Sequence, residues 1–213
     1  MTDYIAEKAQ LIMQLRAQAI RDADVLSALE RVPRERFLPH ALRKHAYENA
    51  SLPIAGGQTI SQPYIVAKMT EALALTRKHT VLEIGTGSGY QAAILSHLSR
   101  RVYTIERLRP LLVQAENQFR ALNLTNITSL HGDGHRGWPE AAPFDRIIVT
   151  CRCAAFPAPL FEQLKEGGVM IAPIGPSGQE QLFRVTKEHG KAIEEQLMAV
   201  RFVPMVDGTG DDT

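Results

Sequence analysis

Apolar positions recur at helical spacing over residues 4–20, where Ile5, Ala9, Ile12, Leu15 and Ala19 share one face and predict an opening helix. A second short helix is predicted from Ala23 to Val32, with Val25, Leu26 and Leu29 inward, ending before Pro33. Over residues 33–60 the period is lost, and Pro39, Pro53 and the pair Gly56-Gly57 act as breakers. Helical period returns from Tyr64 to Leu75. It follows Thr59-Ile60-Ser61-Gln62-Pro63, where Ser61 stands at the expected N-cap and Pro63 in the first turn.

From Thr80 onward, short apolar runs alternate with helical patterns. Strands are predicted at 81–84, 102–105, 127–130, 147–150 and 169–174. Helices are predicted after the glycines at 85–89 as far as Leu98, from Pro110 to Leu122, and over Leu160 to Leu164. This alternation predicts an α/β fold, a Rossmann-like doubly wound sheet, mostly parallel, with helices on both faces. The tail differs. Gln181 to Thr186 and Leu197 to Val203 are extended runs around His189-Gly190 and predict a terminal antiparallel addition. Asp207 to Thr213 are expected to fray.

Composition narrows the class. The 213 residues, 45% of them apolar, can bury a full core. Against 24 Lys and Arg stand 23 Asp and Glu, a net charge of +1. That balance leaves no broad electrostatic footprint for nucleic acid or a membrane surface. No apolar run approaches the roughly 20 residues of a membrane helix, and Met1 to Arg16 lack the basic-then-apolar order of a secretory signal. Cys151 and Cys153 lie two apart, so on extended chain their side chains diverge and a disulfide between them is not expected. No further ligands cluster near them in sequence, so no metal is expected either. Both are read as reduced thiols, which suits the cytoplasm.

Ligands in open α/β sheets sit at the carboxyl ends of the strands. Three features of this sequence fall there. Gly85-Thr86-Gly87-Ser88-Gly89 directly follows the first strand of the alternating region, and its glycines allow a sharp turn and close approach of a ligand. Glu106 ends the next strand, about 20 residues further on, where a carboxylate can accept from both hydroxyls of a ribose. Gly132-Asp133-Gly134 follows the third, where a short acid flanked by glycines can meet an adenine amino group or simply form a turn. The glycine spacing alone also serves nicotinamide cofactors. Glu83, two residues before the first glycine, argues against a pyrophosphate and for a cationic ligand at the rim, unless it is a strand-end acid paired elsewhere.

These residues carry a resemblance. Val81-Leu82-Glu83-Ile84-Gly85-Thr86-Gly87-Ser88-Gly89-Tyr90 is similar to motif I of class I methyltransferases. Thr59 to Tyr64, His131 to Gly134, Ile147 to Thr150 and Arg201 to Pro204 narrow it, and the set resembles the protein-L-isoaspartate O-methyltransferase family from about Leu15 to Asp207. The resemblance implies a seven-stranded sheet, S-adenosyl-L-methionine as methyl donor, and isoaspartyl proteins and peptides as acceptors. It divides the chain into an N-terminal helical and loop extension, 1–60, and a methyltransferase core with a C-terminal β addition, 61–213. Ser61 matches the family's active-site serine. Gln58, Thr59 and Ile60 match a loop closing over cofactor and substrate. Gly85, Gly87, Glu106, Arg107, Asp133 and Gly134 match cofactor-binding positions, and Glu83, Thr86 and Gly89 are expected on the cofactor side beside them. Cys151-Arg152-Cys153 and His135 depart from the family's usual residues.

The acceptor so implied is a carboxylate with an ordinary pKa of about 4, already a nucleophile at neutral pH. No general base is needed, and catalysis then comes from positioning and partial desolvation. Ser61 is expected to donate a hydrogen bond to the acceptor, to cap the following helix, or both, since a cap leaves the hydroxyl proton free. Arg152 is either an attractor for the substrate carboxylate or an exposed loop arginine. Arg34, Glu35, Arg36, Arg43 and Lys44 read as a mixed charged face, and Trp138 as a pocket wall or a packed core residue. Competing functions are a class I methyltransferase on another acceptor, a non-catalytic S-adenosylmethionine-binding protein and, remotely, a dehydrogenase. A cytoplasmic monomer that engages neither nucleic acid nor membrane is expected.

Overall fold

The computed structural model describes residues 4–210. Two helices open it, α1 (Ile5–Ala17) and α2 (Ala23–Arg31). The Asp22 carboxylate caps α2 by accepting from the N–H groups of Asp24 and Val25. Short 3-10 turns follow, then a two-stranded ribbon, β1 (Leu52–Pro53) and β2 (Thr59–Ile60). Helix α3 (Pro63–Ala72) comes next. Its N-cap is Gln62, with no side-chain cap, so Ser61 stands outside the helix and does not cap it. Pro63, which lacks an N–H, already removes one of the donors a cap would satisfy.

The alternating region gives β3 (Thr80–Ile84), α4 (Tyr90–Ser96), β4 (Arg101–Glu106), α5 (Arg109–Ala121), β5 (Ile127–His131), β6 (Phe144–Val149), α6 (Ala158–Glu162) and β7 (Leu164–Ile174). Strands β8 (Gln181–Glu188) and β9 (Lys191–Ala199) complete one seven-stranded sheet of order β5-β4-β3-β6-β7-β8-β9. The pairs from β5 to β7 are parallel, and β7–β8 and β8–β9 are antiparallel. The expected fold class therefore holds.

Side chains alternate across the sheet. Val81, Val102, Ile148 and Ile171 face one way onto Met69, Ala92, Leu95 and Phe119 of α3, α4 and α5. Leu82, Ile84, Ile147 and Met170 face the other way onto Leu160 and Phe161. Because both faces are covered, the central strands read as continuous apolar runs rather than alternating ones.

Two expectations about the tail need correction. The last strand ends at Ala199, not Val203, because His189 and Gly190 both take positive φ and set a two-residue turn that fixes the register. Beyond it the chain crosses to the carboxyl edge of the sheet. Arg152 N–H donates to Val203 O, and Met205 N–H donates to Arg152 O. Within residues 207–210, Gly208 N–H donates to Asp133 Oδ2 and Gly210 N–H to Arg107 O, so this part is tied down. Asp211 to Thr213 lie outside the described residues.

Candidate active site

The strand order reverses at β3, which has β4 on one side and β6 on the other. A crevice opens beyond the carboxyl ends of such a pair, and here it is lined by the Gly85–Ser88 turn, Glu106 to Leu108, Gly134, Thr150 and Cys151. Gln58 to Ser61 wall it from the N-terminal side and Val203 to Val206 from the C-terminal side.

The floor is bare backbone for a steric reason. Gly85 has φ +92, and a Cβ there would lie 2.5 Å from Thr150 Oγ1. Thr150 donates its hydroxyl to the carbonyls of Ile84 and Gly85 at 2.9 and 2.6 Å, locking the two strand ends together. The Glu106 carboxylate is buried and held at both oxygens, Oε2 by Gly87 N–H at 2.8 Å and Oε1 by Leu108 N–H at 3.0 Å. Each oxygen keeps a lone pair, so two hydroxyls on one ligand edge suit it. The N–H of Gly87 is thereby spent on a carboxylate, and a pyrophosphate in this turn would meet that charge. The residues fit an adenosyl group carrying a cationic sulfonium and do not fit a dinucleotide.

Of the expected cofactor residues, Gln58, Thr59, Ile60, Gly85, Thr86, Gly87, Glu106, Arg107 and Gly134 line this pocket, with Ser61 beside them. Three do not. Glu83 is fully buried in the middle of the sheet, between Thr104 and Ile148 in register, and does not reach the rim. Thr104 Oγ1 donates to its Oε2 at 2.5 Å, and its Oε1 has no hydrogen-bond partner among the described residues. Burial pushes its pKa up to about 8, against the opposing Thr104 hydrogen bond and aided by the nearby Glu106, which favours the protonated, neutral acid. The acid that lines the crevice is Glu106 instead. Gly89 is the N-cap of α4, and a Cβ there would meet Phe119 Cε1 at 2.7 Å, so its smallness serves helix packing.

Asp133 spends its carboxylate on the N–H groups of His135 and Gly208. Burial opposes its charge, but those bonds outweigh it and hold the pKa below the usual range. It is a turn-former that anchors the tail. Ligand atoms of Asp133, His135 and Asp207 lie within 4.8 Å of one another, yet Asp207 stands in solvent and Asp133 is already engaged.

Two other residues differ from expectation, and Trp138 takes its packed alternative. Arg152 pairs with buried Glu180 at 3.5 Å and donates to Gly175 O, so it is neither an exposed arginine nor part of the crevice lining. Arg34 is fully buried, while Arg36, Arg43 and Lys44 are exposed. Trp138 packs edge-on against Tyr103, 5.3 Å between centroids, away from the pocket lining. Thr150 was absent from the expected set, although its place at the end of a central strand marks it.

A second groove of about 640 Å³ adjoins the first and shares Thr59, Ser61, Thr150 and Val203 with it. Gln62, Tyr64, Ile65 and the run from Met198 to Phe202 form the rest of its main walls. Ser61 is partly exposed at this junction, and its hydroxyl makes no hydrogen bond among the described residues.

Residues 6–210 match the sequence model of the family described as Protein-L-isoaspartate(D-aspartate) O-methyltransferase. The chain belongs to this family. A protein-L-isoaspartate O-methyltransferase from Parvibaculum lavamentivorans is 55% identical over 210 residues, covering 97% of this chain and 95% of that one. One from Azorhizobium caulinodans is 53% identical, covering 98% of each. A solved protein-L-isoaspartate O-methyltransferase superposes with a TM-score of 0.83 at 31% identity, over 92% of this chain and 65% of that one. A second, from Plasmodium falciparum and solved with S-adenosyl-L-homocysteine, gives 0.83 at 23% identity over 97% and 99%, a likeness of fold. Membership makes the chain a protein-L-isoaspartate O-methyltransferase that uses S-adenosyl-L-methionine.

Proposed function

We propose that Ser61, at the junction of the two grooves, orients an isoaspartyl carboxylate for methylation by S-adenosyl-L-methionine. The chain is an isoaspartyl methyltransferase by family. The observation supporting the role of Ser61 is its uncapped hydroxyl, free beside both the cofactor pocket and the second groove. When bound, S-adenosyl-L-methionine supplies an electrophilic methyl group on a sulfonium.

Glu106 holds the ribose hydroxyls, and Gly85, Thr86, Gly87 and Gly134 give the nucleoside an open backbone surface. Arg107, Gln58, Thr59 and Ile60 enclose it. The second groove receives the peptide on either side of the damaged residue. Ser61 donates a hydrogen bond to one oxygen of the carboxylate, which is ionised at neutral pH and needs no base. Apolar walls from Ile60, Val66 and Val203 exclude water and leave the carboxylate less solvated and more reactive.

The methyl ester has a better leaving group than the free acid. The next backbone nitrogen attacks its carbonyl, methanol departs, and the resulting succinimide hydrolyses in part to normal aspartate. We read the protein as a cytoplasmic monomer acting on proteins rather than on nucleic acid or membranes; the near-balanced charge supports the last part of that reading. Among the described residues no helix is long and apolar enough to cross a membrane. Residues 4–60 form an extension rather than a separate unit, since Leu15, Leu29 and Phe37 share one apolar cluster with Tyr90, Ala93 and Ile94.

The test is transfer of labelled methyl to an isoaspartyl peptide, with the aspartyl peptide as control. Label on the isoaspartyl peptide alone is expected. Label on both peptides means a looser acceptor site, and label on neither, with cofactor bound, means a binding protein. Ser61→Ala is expected to lower kcat by about a hundredfold, the order for one positioned donor, and to leave S-adenosylhomocysteine affinity within about twofold. Unchanged turnover in a native-like variant removes Ser61 from catalysis.

A further inference from the structure

Arg34 is fully buried, and no carboxylate pairs with it among the described residues. Its charge is met by three backbone carbonyls. Nε donates to Ala46 O at 2.8 Å, Nη1 to Ser61 O at 3.0 Å and Nη2 to Ala50 O at 3.3 Å. The guanidinium also lies over the Tyr90 ring, 5.0 Å from its centroid. Desolvation draws its pKa below the ordinary value, partly offset by Tyr90.

An unpaired buried charge is a poor way to fill a core, since apolar residues of the same volume do so at lower cost. The three carbonyls come from separate places in the chain, and only a planar fork with fixed donor directions meets all three. One belongs to Ser61 itself, whose own hydroxyl faces the grooves. Tyr90, on the other side of the guanidinium, lines the cofactor pocket.

We propose that Arg34 is a positioning residue for methyl transfer. By gripping the Ser61 carbonyl it fixes that residue's backbone, and so the aim of its hydroxyl. Through Tyr90 the grip is referenced to the cofactor wall. The alternative is a scaffold role confined to Ala46 and Ala50, which would show in stability and leave turnover untouched. The proposal rests on the role of Ser61 given above.

Arg34→Lys keeps the charge without the fork, and Arg34→Gln keeps donors without the charge. Each is compared with the native enzyme for kcat and KM with an isoaspartyl peptide and for S-adenosylhomocysteine affinity by calorimetry. Each is also placed in the Ser61→Ala background. Circular dichroism checks the fold, and Arg34→Lys, the more conservative change, carries the result if Arg34→Gln does not fold. The expected result is a kcat at least tenfold lower, with peptide KM and S-adenosylhomocysteine affinity within about twofold. Over Ser61→Ala the further loss is below about twofold, because residues acting as one unit are not additive. Native kcat in the folded variants overturns the proposal. So does an undiminished loss over Ser61→Ala, or a fall in product affinity parallel to kcat. Full turnover in Ser61→Ala alone is a different failure, that of the catalytic serine itself.

Discussion

Replacing Glu83 with Gln tests whether a neutral carboxylic acid lies inside the sheet. In the folded chain burial pushes this acid up to about 8, while its ordinary value is 4.5. Below about pH 4.5 the acid is protonated in both states and its titration has no effect on stability. Between about 4.5 and 8 the unfolded chain releases the proton and the folded chain keeps it. Fewer protons are bound on unfolding, so stability falls as pH rises. The slope is about 1.4 kcal/mol per pH unit, which gives on the order of 4 kcal/mol between pH 5 and pH 8. Gln accepts the same Thr104 hydrogen bond and does not titrate. Its amide lacks a partner where Oε1 now has none, which adds a constant offset without pH dependence. Urea unfolding of both proteins at several pH values in this range, without cofactor, gives the difference curve. The native protein should lose about 4 kcal/mol relative to Glu83→Gln from pH 5 to pH 8. Parallel curves would refute the neutral acid.

Other changes follow from the same geometry. Glu106→Gln exchanges an acceptor pair for one acceptor and one donor against the N–H groups of Gly87 and Leu108. S-adenosylhomocysteine should bind about 2 kcal/mol more weakly by calorimetry, and unchanged affinity would exclude Glu106 as the ribose ligand. Gly89→Ala forces a Cβ onto Phe119 at φ +88. It should cost roughly 2–4 kcal/mol in urea unfolding, while the folded fraction still binds cofactor; lost binding with native stability would return Gly89 to the pocket. Burial raises the Cys151 thiol well above the ordinary range and pushes Cys153 up to about 12. Labelling by a thiol reagent at pH 8 should be roughly a thousandfold slower in the folded protein than after unfolding, and fast labelling of either thiol would contradict this.

The sheet was legible because its central strands and the helices between them differ in period and are short enough to count. Glu106 and the Gly85–Gly87 turn were legible because each follows directly from the end of a strand. Glu83 was not, because spacing along one strand cannot reveal that neighbours on both sides bury it. Arg34 was hidden for a related reason. It sits among Glu35, Arg36, Arg43 and Lys44, and nothing local tells that its side chain turns inward to carbonyls as far away as Ser61. Ser61 itself was half legible: its place beside the site was foreseen, but the cap was assigned one residue too early. The tail was misjudged because its partners, Asp133 and Arg107, are distant in sequence.

The crevice is walled by two segments far apart in sequence, Gln58 to Ser61 and Val203 to Val206. During synthesis the glycine turn and most of the parallel sheet leave the ribosome well before residues 203–206 do, so a nascent chain has no complete crevice until those residues have emerged. Closing so long a loop is among the slower events of folding. Trimming a few residues beyond Ala199 should then silence the enzyme while leaving the sheet intact, making loss of turnover an earlier sign of proteolysis than loss of structure.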